Sequence, residues 1–436
     1  MRVSVIGCGY LGAVHAAAMA SIGHDVVGVD VDAAKIEALS RGDAPFYEPG
    51  LQQILTDGVA AGNLRFTTDM AAVRGSAVHF VGVGTPQQRE GSAADLTYVN
   101  AAFAQLLEHV SPGDIVAGKS TVPVGTAAGL AERVHGAGAV LVWNPEFLRE
   151  GWAVQDTVDP DRLVVGVPAG SEGERAAQVL REVYYPSVDK GTPFIVTDYA
   201  TAELVKVSAN AFLATKISFI NAMAEIAEAT GADVTTLAEA LGHDDRIGRR
   251  FLGAGIGFGG GCLPKDIRAF AARAEELGKS QSVAFLREVD AINLRRRARA
   301  IELVVEAFDG EVYGKRIAVL GAAFKPHSDD VRDSPALDVA VQLKGLGAEV
   351  VVTDPQAIPN ARRLHPQLTY EASRDETLRG ADAVVLVTEW DEYRRQLSPE
   401  HAASLTAGRI VVDGRNCLDP AAWKAAGWTY RGMGRS

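Results

Sequence analysis

Short apolar runs closed by turn residues recur through the first 200 residues, at positions 3–7 (VSVIG), 26–30 (VVGVD), 77–83 (AVHFVGV), 115–121 (IVAGKST), 140–145 (VLVWNP) and 163–167 (LVVGV). Stretches rich in alanine and leucine lie between several of them. Strands that alternate with helices predict a parallel, doubly wound sheet. From about residue 199 to 228 the pattern changes: apolar residues fall at three- and four-residue steps, which predicts one long helix. A second helical region is expected over 266–308, broken near Gly278. Strand signals return at 316–321 (RIAVLG), 348–355 (AEVVVTDP), 381–390 (ADAVVLVTEW) and 409–416 (RIVVDGRN), again alternating with helices. The pattern therefore predicts an α/β chain of two Rossmann-like doubly wound domains joined by a central helical domain with a long helix. The boundaries are placed near residues 195 and 310, giving segments 1–195, 196–310 and 311–436. The arginines at 295–297 and 299 lie on the connecting helix and read as a solvated or salt-bridged face.

At 436 residues the chain exceeds one ordinary core, in keeping with several domains. Its 47% hydrophobic and 22% charged residues are the balance of a soluble globular protein. A net charge of -12 argues against nucleic acid as a partner, but it leaves room for an anionic small molecule in a local basic pocket. Cys8, Cys262 and Cys417 are few, odd in number and far apart, so neither a disulfide framework nor a metal site is expected. A reducing compartment fits that usage. The N-terminus enters a strand at once and lacks the apolar core of a signal peptide, and no apolar run is long enough to span a membrane. A cytoplasmic protein without a membrane partner is expected.

Two segments carry chemistry. Gly7, Gly9 and Gly12 form G-x-G-x-x-G between a predicted strand and a predicted helix, and Asp30 ends the next strand 18 residues beyond Gly12. That spacing is near the ~20 expected for the acid that binds an adenosine ribose. The glycines let a pyrophosphate approach the backbone, and the carboxylate repels a 2′-phosphate, so NAD is favoured over NADP. In residues 255–266 (GIGFGGGCLPKD), five of the first seven residues are glycine, Cys262 follows, and Lys265 and Asp266 open an apparent helix. A thiol beside a cation and near helix-start N–H groups is expected to favour its thiolate, although a lone cysteine is also commonly a small buried packer. The first turn of the second domain (GAAFKPHSDDVRDSP) is no dinucleotide fingerprint. It carries Lys325 and Arg332 where the first domain has glycines, which suits a phosphate of a different nucleotide.

Seven ordered segments resemble the UDP-glucose 6-dehydrogenase family, within the nucleotide-sugar dehydrogenases that include GDP-mannose 6-dehydrogenase. They are GCGYLG (with Tyr10 and Leu11 inside the glycine motif) together with Asp30, VGVGTP at 81–86, GKSTVPVGT at 118–126, NPEFLREG at 144–151, ELVKVSANAFLATKISFINAMAE at 203–225, RIGRRFLGAGIGFGGGCLPKD at 246–266 and FKPHSDDVRDSP at 324–335. The resemblance covers essentially the whole chain. It implies oxidation of the primary alcohol of a sugar nucleotide, foremost UDP-glucose, to the carboxylate with two NAD per turnover. Cys262 would attack the aldehyde to form a thiohemiacetal and then a thioester, and Glu146 would be the base for its hydrolysis. Lys206 and Asn210, one helical turn apart, would stabilise developing oxyanion charge, while Thr121 and Asp266 would hold a water or hydroxyl that carries the proton. By the same resemblance Asp30, Lys35, Thr85, Thr121, Glu150, Lys265 and Arg332 contact NAD. Glu146, Phe147, Leu148, Arg149, Glu150, Lys206, Asn210, Phe251, Leu252, Gly253, Ala254, Gly255, Gly259 and Lys325 contact the sugar nucleotide, and Arg246 reaches a neighbouring subunit's site in a homodimer or larger oligomer.

Gly261 departs from the serine that relatives often carry there, and it is not the histidine usual in the branch acting on N-acetylated amino sugars. His15 and His243 match no role and read as structural or surface. The absence of any Tyr-x-x-x-Lys pair argues against a short-chain epimerase. A catalytically silent nucleotide-binding regulator is the alternative from a different class, disfavoured by the intact set of reactive side chains.

Overall fold

In the computed structural model, which describes residues 1–435, the apolar runs form the inner strands of two sheets. The first has eight strands: β1 (Arg2–Ile6), β2 (Asp25–Val29), β3 (Leu64–Thr67), β4 (Val78–Val81), β5 (Ile115–Gly118), β6 (Val140–Trp143), β7 (Leu163–Gly166) and β8 (Phe194–Thr197). Their order is β3-β2-β1-β4-β5-β6-β7-β8. The second has six: β9 (Arg316–Leu320), β10 (Glu349–Thr353), β11 (Thr369–Tyr370), β12 (Ala383–Leu386), β13 (Ile410–Asp413) and β14 (Thr429–Gly432), ordered β11-β10-β9-β12-β13-β14 and parallel throughout.

The two-residue period of a strand divides each run between the faces of its sheet. Val3, Val5 and Val26 pack on one face with Val14 and Met19 of the helix Tyr10–Ser21. Ile6, Val27 and Val81 pack on the other with Phe103 and Leu130. Both faces are covered, so the inner strands show no polar alternation.

Four strands have no counterpart in the apolar pattern: β3, β8, β11 and β14. They are the four sheet edges. Covered on fewer sides, they alternate with exposed residues, as in the Leu64–Thr67 and Thr429–Gly432 strands, and no continuous apolar run marks them. The expectation of a wholly parallel first sheet also needs one correction. β6 and β7 pair antiparallel, through Trp143 and Gly166. The chain leaving β6 carries residues 146–150 and only a six-residue helix (Ala153–Val158). It joins β7 without returning to the other end of the sheet, so β7 runs the opposite way.

The residues divide into two compact units, Met1–Ala209 with Ala272–Gly278, and Asn210–Ala271 with the chain from Lys279 onward. Between the two sheets in sequence lies the helical region, with a 32-residue helix, Tyr199–Thr230. The helical stretch after Cys262 is broken as expected, into Leu263–Glu276 and Phe285–Ala307. The arginine cluster on the latter is salt-bridged but not uniformly solvated. Arg296 is fully buried against Glu228 at 3.1 Å, and Arg297 is buried against Asp333 at 2.9 Å. His15 is core, its ring 4.5 Å from that of Phe80, and His243 is exposed. No helix among the described residues is long and apolar enough to cross a membrane.

Candidate active site

Strands β1 to β6 run the same way, so the loops leaving their carboxyl ends gather along one edge of the sheet. The sequence places the candidate cofactor residues on those loops: residues 7–12 after β1, Asp30 after β2, Thr85 after β4, Thr121 after β5 and 146–150 after β6. Gly7 has φ +88°, which a side chain disfavours, and a Cβ on Gly12 would lie 1.7 Å from the Gly7 carbonyl oxygen. Gly9 caps the helix Tyr10–Ser21 without a side-chain hydrogen bond and has open space where a Cβ would stand. Uncapped helix-start N–H groups beside an open glycine suit a pyrophosphate. The Asp30 carboxylate is tied to this turn, accepting from Cys8 N at 2.7 Å and from Lys35 Nζ at 3.1 Å. These residues fit NAD. Tyr10 is turned elsewhere: its hydroxyl donates to buried Glu48, which also accepts from Gly151 N at 2.6 Å and Ala153 N at 2.8 Å. Leu11 packs towards Gly82.

The first unit also collects several candidate catalytic groups. Thr85 Oγ1 donates to the Thr121 carbonyl at 2.9 Å. Glu146 is held on both oxygens: Oε1 accepts from Phe147 N at 2.8 Å and Leu148 N at 3.2 Å, and Oε2 pairs with Lys119 Nζ at 3.1 Å. Two cations lie against the Phe147 ring, Arg162 at 4.1 Å and Lys206 at 5.4 Å from its centroid. Such contacts are worth roughly 0.5–2 kcal/mol and orient the ammonium. Lys206 makes no ion pair among the described residues, which leaves its charge available for an oxyanion. Leu148 packs on the core, Glu150 is buried, and Arg149 forks onto Asp156 at 2.8 and 2.6 Å.

In the second unit Cys262 is exposed, and its carbonyl accepts from Asp266 N at 3.0 Å as the helix Leu263–Glu276 begins. Asp266 is buried and accepts from Asn210 Nδ2 at 2.6 Å and from Lys265 Nζ at 2.5 Å. The other cysteines are poor nucleophiles. Burial pushes the thiols of Cys8 and Cys417 well above the ordinary range, Asp30 and Asp413 respectively adding to the effect.

The glycine loop before Cys262 is fixed by side chains: Asn221 Oδ1 accepts from Gly255 N at 2.9 Å, and Asn293 bonds both N and O of Phe258, at 2.7 and 2.9 Å. A Cβ on Gly259 would stand 2.2 Å from the Asp333 carbonyl oxygen, and one on Gly261 would stand 2.3 Å from the Arg332 guanidinium carbon. Gly261 thus makes room for Arg332 next to Cys262. Phe251 has φ +65° and is partly exposed, Leu252 and Ala254 are buried, and Gly253 borders open space. Lys325 lies 5.3 Å from the Phe324 ring centroid, and exposed Arg246 pairs with Asp244 at 2.6 Å.

The second sheet repeats the plan of the first without its chemistry. Asp354, at the carboxyl end of β10, occupies the place of Asp30 at the end of β2. It is 3% exposed and accepts from Ala322 N, Ala323 N, Trp390 Nε1, Gln356 N and Ala357 N, at 2.8–3.1 Å. No capacity remains for a ribose. Among the described residues no cluster of acidic, histidine or cysteine side chains could hold a metal ion.

Sequence reasoning missed Lys119, Tyr184 and Glu203. Glu203 accepts from Gly125 N and Ala127 N at 2.7 Å each, capping the helix Thr126–Gly136. Lys119 and Glu203 both stand in segments quoted for the resemblance. Their one available signal was a charged residue within or beside an apolar run.

Three family models match the chain in order. The NAD binding domain of the UDP-glucose/GDP-mannose dehydrogenase family matches residues 1–188, its central domain 200–295 and its UDP binding domain 318–420. The chain is 41% identical over 440 residues to the UDP-glucose 6-dehydrogenase of Rhizobium meliloti, covering all of both. It is 40% identical to UDP-glucose 6-dehydrogenase TuaD of Bacillus subtilis, covering 100% of this chain and 93% of that one. A solved UDP-glucose dehydrogenase from Pyrobaculum islandicum is similar with a TM-score of 0.90 and 38% identity, covering 100% and 98%.

Proposed function

The chain belongs to the UDP-glucose/GDP-mannose dehydrogenase family, and from there we propose that it is a UDP-glucose 6-dehydrogenase, oxidising C6 of UDP-glucose to give UDP-glucuronate. In this reading residues 1–195 hold NAD, 311–436 hold the UDP moiety, and 196–310 carry catalytic groups and the contact with a second subunit. Gly7, Gly9 and Gly12 cradle the pyrophosphate, Asp30 binds the ribose, and Lys35, Thr85, Thr121, Glu150, Lys265 and Arg332 complete the contacts. NAD, when bound, accepts the hydride in each of the two oxidations.

The chain's own residues do the rest. Thr121 and Asp266 hold the water that takes the C6 hydroxyl proton, and Lys206 and Asn210 stabilise the developing oxyanion. At the aldehyde level the Cys262 thiolate adds to C6, so the sugar stays covalently attached and the thiohemiacetal keeps one C–H to lose. The resulting thioester is hydrolysed by a water that Glu146 deprotonates, and the thiolate leaves. Phe147, Leu148, Arg149, Phe251–Gly255, Gly259 and Lys325 position the sugar nucleotide. Phe212, Phe219 and Ile226 are exposed seven residues apart on the long helix and would meet a second copy of the chain, into whose site Arg246 would reach. Dependence on NAD and a content of only three cysteines, far apart in the sequence, support a cytoplasmic location.

One observation carries the reading: an exposed cysteine opens the helix that presents buried Asp266 to Asn210, in a chain similar from end to end to UDP-glucose 6-dehydrogenases. NADH counted per UDP-glucose consumed tests it. Two are expected; one would reduce the enzyme to an alcohol dehydrogenase, and activity with GDP-mannose alone would overturn the substrate. Light scattering at assay concentration tests the oligomer, which a fully active monomer would refute.

A further inference from the structure

Lys119 follows the last residue of β5, where chemistry gathers, yet its side chain is 2% exposed. Its ammonium has three protons and three acceptors: Glu146 Oε2 at 3.1 Å, Asn144 Oδ1 at 3.0 Å and the Tyr184 hydroxyl at 3.2 Å. Tyr184 donates in turn to Asn144 Oδ1 at 2.8 Å, and the Asn144 amide donates to the Val164 carbonyl at 2.9 Å. The rings of Phe80 and Tyr184 flank the ammonium, each centroid 5.7 Å away. Burial works against the charge, but Glu146 and Tyr184 outweigh it and hold the Lys119 pKa above the ordinary lysine value.

With all three protons engaged, Lys119 has none for substrate or cofactor. As a stabilising device a buried ion pair is a poor choice, since a well-packed apolar substitute commonly does as well. What the pair does is orient Glu146. Oε1 already accepts two backbone N–H groups, whereas among the described residues Oε2 accepts from Lys119 alone and keeps a lone pair. We infer that Lys119 is the positioning residue for the hydrolytic half of the reaction, holding Glu146 so that Oε2 faces the water that attacks the thioester.

The inference rests on the proposed role of Glu146. In that step one water proton passes to Glu146 and the water oxygen bonds to C6. The C6–S bond then breaks with its electron pair on the Cys262 sulfur, and the remaining proton leaves as the carboxylic acid ionises. Lys119 takes part in no bond that forms or breaks.

The test compares Lys119→Met, Lys119→Arg and Glu146→Gln in the full-length enzyme with UDP-glucose and NAD, following the NADH burst, steady-state turnover and the acylated fraction of Cys262 by intact mass. Lys119→Met is expected to keep the burst and slow steady-state turnover roughly 10- to 100-fold, within the range of a general base, with acylated Cys262 accumulating. Lys119→Arg should recover part of the rate. If Glu146→Gln hydrolyses the thioester at the wild-type rate, the reading of Glu146 falls and Lys119 with it. If Glu146→Gln accumulates acyl-enzyme while Lys119→Met does not, or slows burst and turnover by the same factor, the positioning role alone is overturned. Should Lys119→Met fail to fold, Lys119→Arg and Tyr184→Phe carry the test: either must raise the acylated fraction, and wild-type fractions in both overturn the inference.

Discussion

Replacing Asp354 by asparagine separates the two nucleotide-fold halves. The carboxylate is buried and accepts five N–H groups, three on Oδ2 (Ala322, Ala323 and Trp390) and two on Oδ1 (Gln356 and Ala357). Whichever way the new amide turns, its NH2 group faces at least two donors. Hydrogen bonds to a charged acceptor contribute about 1.5–3 kcal/mol each. Losing two therefore costs roughly 3–6 kcal/mol, before the weakening of the other three. For a unit of this size one kcal/mol moves the midpoint by about 2–4 °C, so a fall on the order of 10 °C is expected. Scanning calorimetry reads the shift, and NAD titration well below the transition reads the first sheet, where affinity should hold within about twofold because Asp354 takes no part in that site. A midpoint within about 3 °C of wild type would show that Asp354 is no structural staple, and a large loss of NAD affinity would show that the second sheet has kept a cofactor role.

The complementary change, Asp30→Asn, removes the charge at the end of β2, where Cys8 N and Lys35 Nζ now bond it. NAD affinity should fall about 10- to 100-fold, the worth of one charge-assisted hydrogen bond, and an unchanged dissociation constant in a fluorescence titration would remove Asp30 from the ribose site. Cys262→Ser should lower steady-state turnover on the order of 10³-fold or more, whereas Cys417→Ser, altering a half-buried thiol, should leave it unchanged; equal losses in NADH assays of the two would sink covalent catalysis. Acid stability should depend on Asp233, which caps the helix Val234–Gly242. Burial raises its pKa, but hydrogen bonds from Thr235, Thr236 and Arg435 prevail and hold it at about 2. A folded pKa below the unfolded value near 3.9 means the contribution is complete above about pH 4 and lost as pH falls towards 2. Asp233→Ala should therefore cost about 1 kcal/mol in urea melts at pH 6 and less at pH 3.5; a gap independent of pH would be the wrong result.

The inner strands were legible because a strand covered on both faces must be apolar at nearly every position, and such runs stand out: β4, β5, β6, β9 and β12 all fall within predicted segments. The edges β3, β8, β11 and β14 were not, because fewer of their residues are covered and the signal drops to that of a loop. The reversal of β7 was equally invisible, since direction depends on where the preceding connection travels and not on the strand's own residues.

The candidate site divides on the same physical line. Glycines announce themselves, because a turn at φ +88° disfavours a side chain and a 1.7 Å approach leaves no room for one, so Gly7 and Gly12 could be read one residue at a time. Asp30 followed from its distance along the chain, because one βαβ unit fixes the span from turn to acid. Lys119 and Glu203 obey no such local rule. Lys119 is explained only by Glu146 and Asn144, 27 and 25 positions away, and by Tyr184, 65 away; Glu203 is explained by N–H groups near residue 126. A buried charge is set by the partners that compensate it, and those partners come from other strands and helices. A lysine in an apolar run therefore marks a point where the chain must supply an acceptor without saying which, and the acceptor here is the carboxylate we propose for hydrolysis. Parallel strands reconcile the two levels: every loop at their carboxyl ends begins with the same local signal, and adjacency in the sheet then brings Gly118 beside Trp143 and Lys119 within reach of Glu146.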